Sequence, residues 1–137
     1  MGLFDVFSVA GSGVNLNRVW MDAISDNIAN VNTVRRTSES AFQARYVTAA
    51  PTDPYATGDP QGVTVTGIAL GSAQGIVTYD PSNPLADAQG NVRRPDIDLG
   101  EQMTQLIMAQ RGYQANLAVV QRATEAYQTA MQIGKSA

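Results

Sequence analysis

Residues 98–133 read DLGEQMTQLIMAQRGYQANLAVVQRATEAYQTAMQI, a proline-free stretch in which large side chains recur every seven residues. Such spacing is typical of a helix that buries one stripe of its surface. Asp98 can cap the N-terminus, with Glu101 three residues later, and Gly134 predicts the C-terminal end. At about 1.5 Å per residue the helix would be roughly 54 Å long, the size of a coiled-coil arm. One heptad row comprises Leu99, Leu106, Tyr113, Val120 and Tyr127, and a companion row comprises Met103, Leu117 and Met131, with Gln110 and Thr124 as polar members.

The N-terminal end carries a second proline-free heptad pattern. Gly11 and Gly13 weaken the first turns, so the pattern predicts a helix that begins near Val14, after a mobile first dozen residues. The helix is predicted to end between Asn30 and Thr33, because Asn and Thr favour turns. One row comprises Phe7, Val14, Met21 and Ile28, and the other comprises Leu3, Ala10, Asn17, Ile24 and Val31.

The middle of the chain differs in composition, since all six prolines and six of the 12 glycines lie between residues 51 and 95. Alternation in Val63–Thr66 and the β-branched run Ile76–Tyr79, separated by Gly71–Gly75, predict a β-hairpin. Residues 80–95 are predicted to form a loop, whereas residues 35–50 remain ambiguous between strand and helix.

These patterns together predict a mainly α fold with a small β element. The long N- and C-terminal helices are expected to pair as a coiled coil, with a Pro/Gly-rich β-hairpin and loop segment between them. The predicted division places the N-terminal helix in residues 1–34 and the hairpin and loop in residues 35–95. The C-terminal helix then occupies residues 96–137 and forms one helical domain with the first.

Composition excludes several classes of function. The 137 residues include no cysteine and no histidine, which excludes disulfides, thiol nucleophiles, Cys/His zinc sites and a Ser-His-Asp triad. A net charge of −3 supplies no strong basic field for nucleic acid or an anionic membrane. No run approaches the ~18 apolar residues of a membrane span, and Met1–Asp5 lacks the basic region of a cleaved signal peptide.

The polar faces of both predicted helices are rich in neutral side chains. From Leu99 onward the charged residues are Glu101, Arg111, Arg122, Glu125 and Lys135. A solvated coiled coil usually carries Glu and Lys beside its contact stripe, whereas amides suit a face that packs against further subunits. A helix pair with an unspecialised surface is the alternative. Because one stripe per helix buries little apolar area, we expect the free arms to be largely unfolded until other subunits cover them.

Few residues suggest chemistry. The carboxylates of Asp96, Asp98 and Glu101 could serve a small hydrolase or a metal, but helix capping explains them more simply. The pairs Arg35–Arg36 and Arg93–Arg94 either meet an acidic partner surface or are solvated. Gly112 costs about 1 kcal/mol relative to Ala in the middle of a helix, which indicates either close helix approach or tolerance.

Three motifs resemble the bacterial flagellar axial proteins of the rod, hook and hook-associated class. Residues 27–33, Asn-Ile-Ala-Asn-Val-Asn-Thr, resemble the N-terminal signature of that class. Residues 111–116, Arg-Gly-Tyr-Gln-Ala-Asn, resemble its Arg-x-Tyr-x-Ala-Asn helix motif. Residues 79–87, followed by Gly90, Val92 and Pro95, resemble the segment particular to C-type subunits of the proximal rod.

The resemblance implies a non-enzymatic structural subunit without cofactor or metal, located in the basal-body rod within the periplasmic space. It implies unfolded passage through the flagellar type III export apparatus without a cleaved signal peptide, and no insertion into the membrane. The implied partners are other flagellar rod subunits, the rod–ring adaptor protein and copies of the chain itself, which build a torque-transmitting shaft helically. A soluble coiled-coil adaptor or secretion chaperone is the alternative function.

The motifs and the heptad rows together predict an assembly interface on the two helices. Its members are Val14, Met21, Ile24, Asn27, Ile28, Asn30, Val31, Asn32, Leu99, Met103, Leu106, Arg111, Tyr113, Asn116, Leu117, Val120, Tyr127 and Met131.

Overall fold

The computed structural model describes residues 3–53 and 61–135, which form two long helices and two small antiparallel sheets. The elements in chain order are α1 (Leu3–Asn30), β1 (Arg45–Pro51), β2 (Val63–Leu70), β3 (Ile76–Tyr79), β4 (Asn91–Arg94) and α2 (Leu99–Lys135). The prediction of a mainly α chain with a small β element is therefore confirmed. The outer ends of the predicted N- and C-terminal segments and the side chain of Leu3 lie outside the described residues.

Helix α1 is longer than the sequence predicted. It begins at Leu3 rather than near Val14. The negative charge of Asp5 in its first turn interacts favourably with the positive end of the helix dipole. The helix ends at Asn30, within the predicted range. There the Thr33 N–H donates to the Asn30 carbonyl at 2.9 Å, and the Thr33 hydroxyl donates to the Asn30 side chain at 3.1 Å.

Helix α2 begins as predicted but continues past its predicted end. The Glu101 N–H donates to Asp98 Oδ1 at 3.0 Å, which confirms Asp98 as the N-cap. The Glu101 carboxylate does not complete a capping box, since it accepts from the Gln105 amide at 2.9 Å. Gly134 does not end the helix, which extends through Lys135.

The strand pairing differs from the predicted hairpin. Strand β2 pairs with β1, and β3 pairs with β4, so Val63–Thr66 and Ile76–Tyr79 belong to different sheets. The Gly71–Gly75 connection is not a hairpin turn because it continues beside residues 41–44. Its Gly71 N–H donates to the Ala44 carbonyl at 2.7 Å, and the Ala41 N–H donates to the Ala73 carbonyl at 2.8 Å.

The segment 80–95, predicted as a loop, contains strand β4 after an ordered turn region. The Asp80 N–H donates to the Gly90 carbonyl at 2.8 Å, which closes the β3–β4 connection. Gly90 has a φ of 81°, a left-handed conformation that glycine adopts without steric cost. The ambiguous segment 35–50 resolves into strand β1 and an isolated bridge between Arg35 and Arg93.

The buried core consists mainly of small side chains. Ile24 and Val92 are its largest fully buried apolar members. The two helices therefore approach through alanine and amide side chains rather than through a continuous row of leucines. Apart from Pro95, the remaining buried apolar side chains are alanines, namely Ala10, Ala23, Ala41, Ala44, Ala109 and Ala123.

Candidate assembly interface

The helices α1 and α2 pack against each other in antiparallel orientation. Asn27 near the end of α1 contacts Gln102 near the start of α2, with 2.9 Å between the Asn27 Nδ2 and the Gln102 Oε1. Earlier in α1, Asn17 lies against Gly112, and Gly13 lies against Asn116 of α2. Since residue numbers fall along α1 as those of their contact partners rise along α2, the two helices run in opposite directions.

Gly13, Asn17, Gly112 and Asn116 form a reciprocal arrangement, which we call the Gly–Asn cluster. A Cβ on Gly112 would lie 2.6 Å from the Asn17 Oδ1, and a Cβ on Gly13 would lie 2.8 Å from the Asn116 side chain. Each asparagine also donates to the carbonyl of the glycine four residues earlier, at 2.8 Å for Asn17 and 2.9 Å for Asn116. Gly112 therefore marks a close helix–helix approach, one of the two meanings left open by the sequence.

The face of α2 that meets α1 is displaced from the predicted stripe. Leu106, Tyr113 and Val120 are half-buried, so the middle of the first heptad row lies at the contact. The companion row that meets α1 lies one residue earlier in the chain than the predicted row. Its true members, Gln102, Ala109, Asn116 and Ala123, are small or amide-bearing and are buried or half-buried.

Several predicted contact residues of α2 are exposed instead. Met103 and Met131 are about half exposed, at 51% and 49%. These side chains do not meet α1. Hydrophobic periodicity does not distinguish a side chain that meets α1 from one that faces outward, and their place in an assembly interface stays a prediction. The other exposed members are Leu99, Leu117, Tyr127 and Arg111.

The predicted contact residues of α1 fit the helix pair better. Ile24 and Asn27 are buried, at 1% exposure each. Asn32, just beyond the helix, is exposed. The half-buried members are Val14, Met21, Ile28, Asn30 and Val31.

Asn27 joins three elements at one end of the helix pair. Its Oδ1 accepts from the Arg45 N–H at 2.8 Å, and its Nδ2 donates to the Arg45 carbonyl at 3.0 Å. The same Nδ2 donates to Gln102, so one buried amide links α1, the start of β1 and the first turn of α2. The sequence motif around Asn27 indicated a functional position, but neither Arg45 nor Gln102 was predicted as its partner.

Two further contacts fasten the β1–β2 hairpin along α1. The Arg45 guanidinium forms an ion pair with Asp26 beside the buried amide. Fifteen residues before Asn27, the Ser12 hydroxyl accepts from the Val63 N–H at 3.0 Å at the other end of the hairpin. Sequence reasoning missed Ser12, because a lone serine in a helix gives no signal of a distant partner.

The outward surface of α2 carries many apolar side chains. Met103 and Ile107 lie on one flank of the contact with α1, whereas Met108, Val119 and Ile133 lie on the other. Met108 is 58% exposed and Ile107 is 51% exposed. Met103 and Ile107 are one helical turn apart, and neighbouring exposed apolar side chains of this kind mark a site of interaction.

The acidic residues serve local structure. Asp98 caps α2, and among the described residues no group of three or more carboxylates could hold a metal ion. The Ser82 hydroxyl and the Asn83 amide lower the pKa of Asp80. The Asn91 N–H, together with the Thr37 hydroxyl, lowers the pKa of Asp87. Both carboxylates thereby organise the β3–β4 connection.

Within the described residues, no helix combines the length and the apolar character needed to cross a membrane.

Comparisons with known proteins agree with the motifs. Residues 7–35 match the family described as flagella basal body rod protein, and residues 88–133 match the flagellar basal body rod FlgEFG protein C-terminal family. The flagellar basal-body rod protein FlgC of Borreliella burgdorferi is 32% identical, over 97% of this chain and 98% of that protein. FlgC of Escherichia coli O6:H1 is 34% identical over 88% and 89%, and FlgC of Bacillus subtilis is 27% identical over 98% and 100%. This chain therefore belongs to the FlgC family of flagellar basal-body rod proteins and is a structural subunit of the basal body, not an enzyme.

Proposed function

We propose that this chain assembles helically in the proximal rod by burying the outward apolar surface of α2 against helices of neighbouring subunits. The exposed side chains on both flanks of α2 are the observation that supports this proposal. Burying one such side chain contributes about 1.5–3 kcal/mol, so a few positions suffice for a stable contact. The terminal helices would then form the inner, coiled-coil layer of a torque-transmitting shaft.

The charge pattern of α2 favours a lattice of helices over a solvated arm. Between the flanks that carry Met103 and Met108, Thr104 and Arg111 are exposed. Five charged residues in a helix of 37 residues leave most of its surface neutral. Neutral surface can be buried without the desolvation cost that a charge would carry.

The small side chains at the α1–α2 contact suit a protein that orders on assembly. Alanine and amide groups bury less apolar area than leucine, so the isolated helix pair is expected to be marginally stable. Such a chain would pass unfolded through the type III export apparatus and fold in the rod within the periplasm. Its partners would be other rod subunits, the rod–ring adaptor protein and copies of itself.

Charge placed on the apolar flank tests this assembly surface. Met103→Asp should greatly reduce the amount of this chain in isolated basal bodies and abolish swimming, because a carboxylate there would be buried in the contact. Thr104→Asp is a matched control, since it places the same charge at the next, exposed position of the same turn. Both aspartates lie near the helix N-terminus, where they favour the helix dipole equally.

The measurement is quantitative immunoblotting of basal bodies and of whole cells. The proposal expects loss of Met103→Asp from basal bodies at an unchanged cellular level, with Thr104→Asp retained. Equal incorporation of both variants would show that this flank of α2 is not buried in the rod.

A further inference from the structure

Strand pairing brings together two basic pairs that are far apart in the sequence. Arg35 and Arg93 exchange both backbone hydrogen bonds, each at 2.9 Å, as an isolated antiparallel bridge. Arg36 and Arg94 are their chain neighbours, so four of the nine basic residues of the chain lie at the β4 edge of the small sheet, with Arg35 and Arg93 on one face. We call Arg35, Arg36, Arg93 and Arg94 the arginine cluster.

Within the described residues, no carboxylate forms a close ion pair with the arginine cluster, although the charge of Arg94 contributes to lowering the pKa of Asp80. The ion pair found there joins Arg45 to Asp26, away from the cluster. Arg93 donates to the Thr37 carbonyl at 2.7 Å, but its Nε and that of Arg94 are buried without a hydrogen-bond partner in the described part of the chain. Arg35 and Arg36 are exposed.

Like charges directly opposite each other destabilise a strand pair. Side chains of directly paired residues share one face of the sheet, so the bridge holds Arg35 and Arg93 together. The nearby carboxylates do not relieve this repulsion by ion pairing. Asp80 accepts from Ser82 and Asn83, and Asp87 accepts from Thr37 and Asn91, which commits both groups to their own loop.

We propose that the arginine cluster binds a carboxylate-bearing surface of a neighbouring rod-assembly subunit whose sequence differs from this chain. This inference rests on the proposed function. Guanidinium groups bind carboxylates through paired, charge-assisted hydrogen bonds, and a carboxylate between Arg35 and Arg93 would remove their repulsion. The cluster thus specifies which neighbour this subunit accepts, whereas the apolar flanks of α2 supply most of the contact area.

A discrete protein surface fits the cluster better than a continuous polyanion. Glu39, Asp80 and Asp87 lie around the arginines and would repel a lipid or nucleic acid surface, and the whole chain carries −3. A protein partner can place single carboxylates beside the arginines, between Glu39, Asp80 and Asp87.

The densest acidic stretch that a second copy of the chain would offer lies close to its own arginine cluster. This stretch comprises Asp96, Asp98 and Glu101. Asp96 is three residues from Arg93, so their Cα atoms lie within roughly 11 Å of each other, at about 3.6 Å per residue. In a helical assembly, each contact between identical subunits joins two different faces. The acidic stretch and the arginine cluster lie on the same side of the subunit, so such a contact cannot join them.

Cross-linking in isolated basal bodies tests the partner directly. The chain contains a single lysine, Lys135, so Arg35→Lys/Arg36→Lys adds amines at the cluster while keeping its charge. A carbodiimide then joins each amine to a carboxylate in contact, forming an amide while the reagent takes up the water released. Arg122→Lys, an exposed position on α2, is the matched control.

The expected product is an amide that links residue 35 or 36 to an Asp or Glu of a different polypeptide, identified by mass spectrometry. Its yield should fall several-fold between about 0.1 M and about 1 M NaCl, as the Debye length shortens from about 10 Å to 3 Å. Products that join two copies of this chain, or a yield no higher than that of Arg122→Lys, would overturn the inference.

Two further readouts separate the remaining outcomes. Arg35→Glu/Arg36→Glu should release the chain from basal bodies at lower salt than the parent, whereas Glu39→Gln should not. Binding of the parent chain to phosphatidylglycerol vesicles, lost in Arg35→Glu/Arg36→Glu, would assign the cluster to a membrane and overturn the inference. Absence of this chain from washed basal bodies, measured before cross-linking, would instead contradict the proposed function on which the inference rests.

Discussion

Asn17 of α1 fills the space beside Gly112 of α2, where a Cβ would lie 2.6 Å from the asparagine Oδ1. Asn116 and Gly13 repeat this relation in the opposite sense. Because glycine and asparagine are four residues apart in each helix, the Asn17–Gly112 and Asn116–Gly13 contacts form together in one axial alignment of the two helices. We infer that the Gly–Asn cluster sets the register of the helix pair, as single buried amides do in coiled coils.

Alanine substitutions in this cluster should behave unlike alanine elsewhere in the helices. Replacing a helical glycine with alanine normally stabilises by about 1 kcal/mol. Gly112→Ala should lose this gain, because Asn17 must give up its hydrogen bond to Gly13, which is worth about 0.5–1.5 kcal/mol. The folding free energy is measured by circular dichroism during a trimethylamine N-oxide titration, which drives folding of a marginal chain.

Gly11→Ala is the matched control, since nothing lies within 4 Å of its Cβ position. We expect it to be about 0.5–1.5 kcal/mol more stable than Gly112→Ala. In an Asn17→Ala background, Gly112→Ala should stabilise as much as Gly11→Ala does. Equal effects of Gly11→Ala and Gly112→Ala in the parent chain would contradict the close approach.

Removal of the Asn27 amide should uncouple the hairpin from the helix pair. Asn27→Ala leaves the Arg45 N–H, the Arg45 carbonyl and Gln102 without this partner, at roughly 1–3 kcal/mol for each group that stays buried. The same osmolyte titration should show a large loss of folding free energy for Asn27→Ala. Asn32→Ala, at an exposed position just past α1, should change it little. Similar losses in both variants would refute the central role of the amide.

The β3–β4 connection should weaken in acid. Hydrogen bonds to the carboxylate, led by that from the Asn91 N–H, lower the pKa of Asp87 below its ordinary value of 3.8. A lowered folded-state pKa adds stability above the unfolded pKa, and this stability is lost as the pH falls through the folded value. The connection therefore keeps this stabilisation at neutral pH and loses it as the pH falls from the unfolded value, near about 4, through the lower folded value.

The amide proton signal of Asn91 in NMR spectra reports this transition. Its midpoint should lie below 3.8, and the titration should vanish in Asp87→Asn while persisting in Asp96→Asn. A midpoint at or above the ordinary value would show that the Asn91 bond does not stabilise the carboxylate.

Sequence patterns predicted the two helices, the end of α1 and the start of α2 better than the contacts between the helices. Asp98 and Asn30 marked boundaries because capping and turn preferences are local. The surface of α2 that faces α1 differs from the predicted one. Leu99 and Met103 have the periodicity of core residues but lie on the outer surface of the helix. The i to i+4 spacing of Gly13 with Asn17 and of Gly112 with Asn116 was the available signal for the true contact.

The strand pairing escaped prediction for a different reason. Val63–Thr66 and Ile76–Tyr79 are adjacent in sequence and suggested a local hairpin, yet each pairs with a strand that was ambiguous or assigned to a loop. The bridge between Arg35 and Arg93 joins residues 58 positions apart, and nothing in the local pattern of either pair indicates it. Such nonlocal pairings depend on the whole chain.

A cryo-electron microscopy reconstruction of the intact basal body would show whether the outward surface of α2 is buried in the rod. We expect Met103 and Ile107 on one flank of α2, and Met108 on the other, to lie within about 4 Å of helices from neighbouring subunits. We also expect Asn17 to remain beside Gly112 in the assembled rod. A density in which both flanks of α2 face solvent would contradict assembly through this surface.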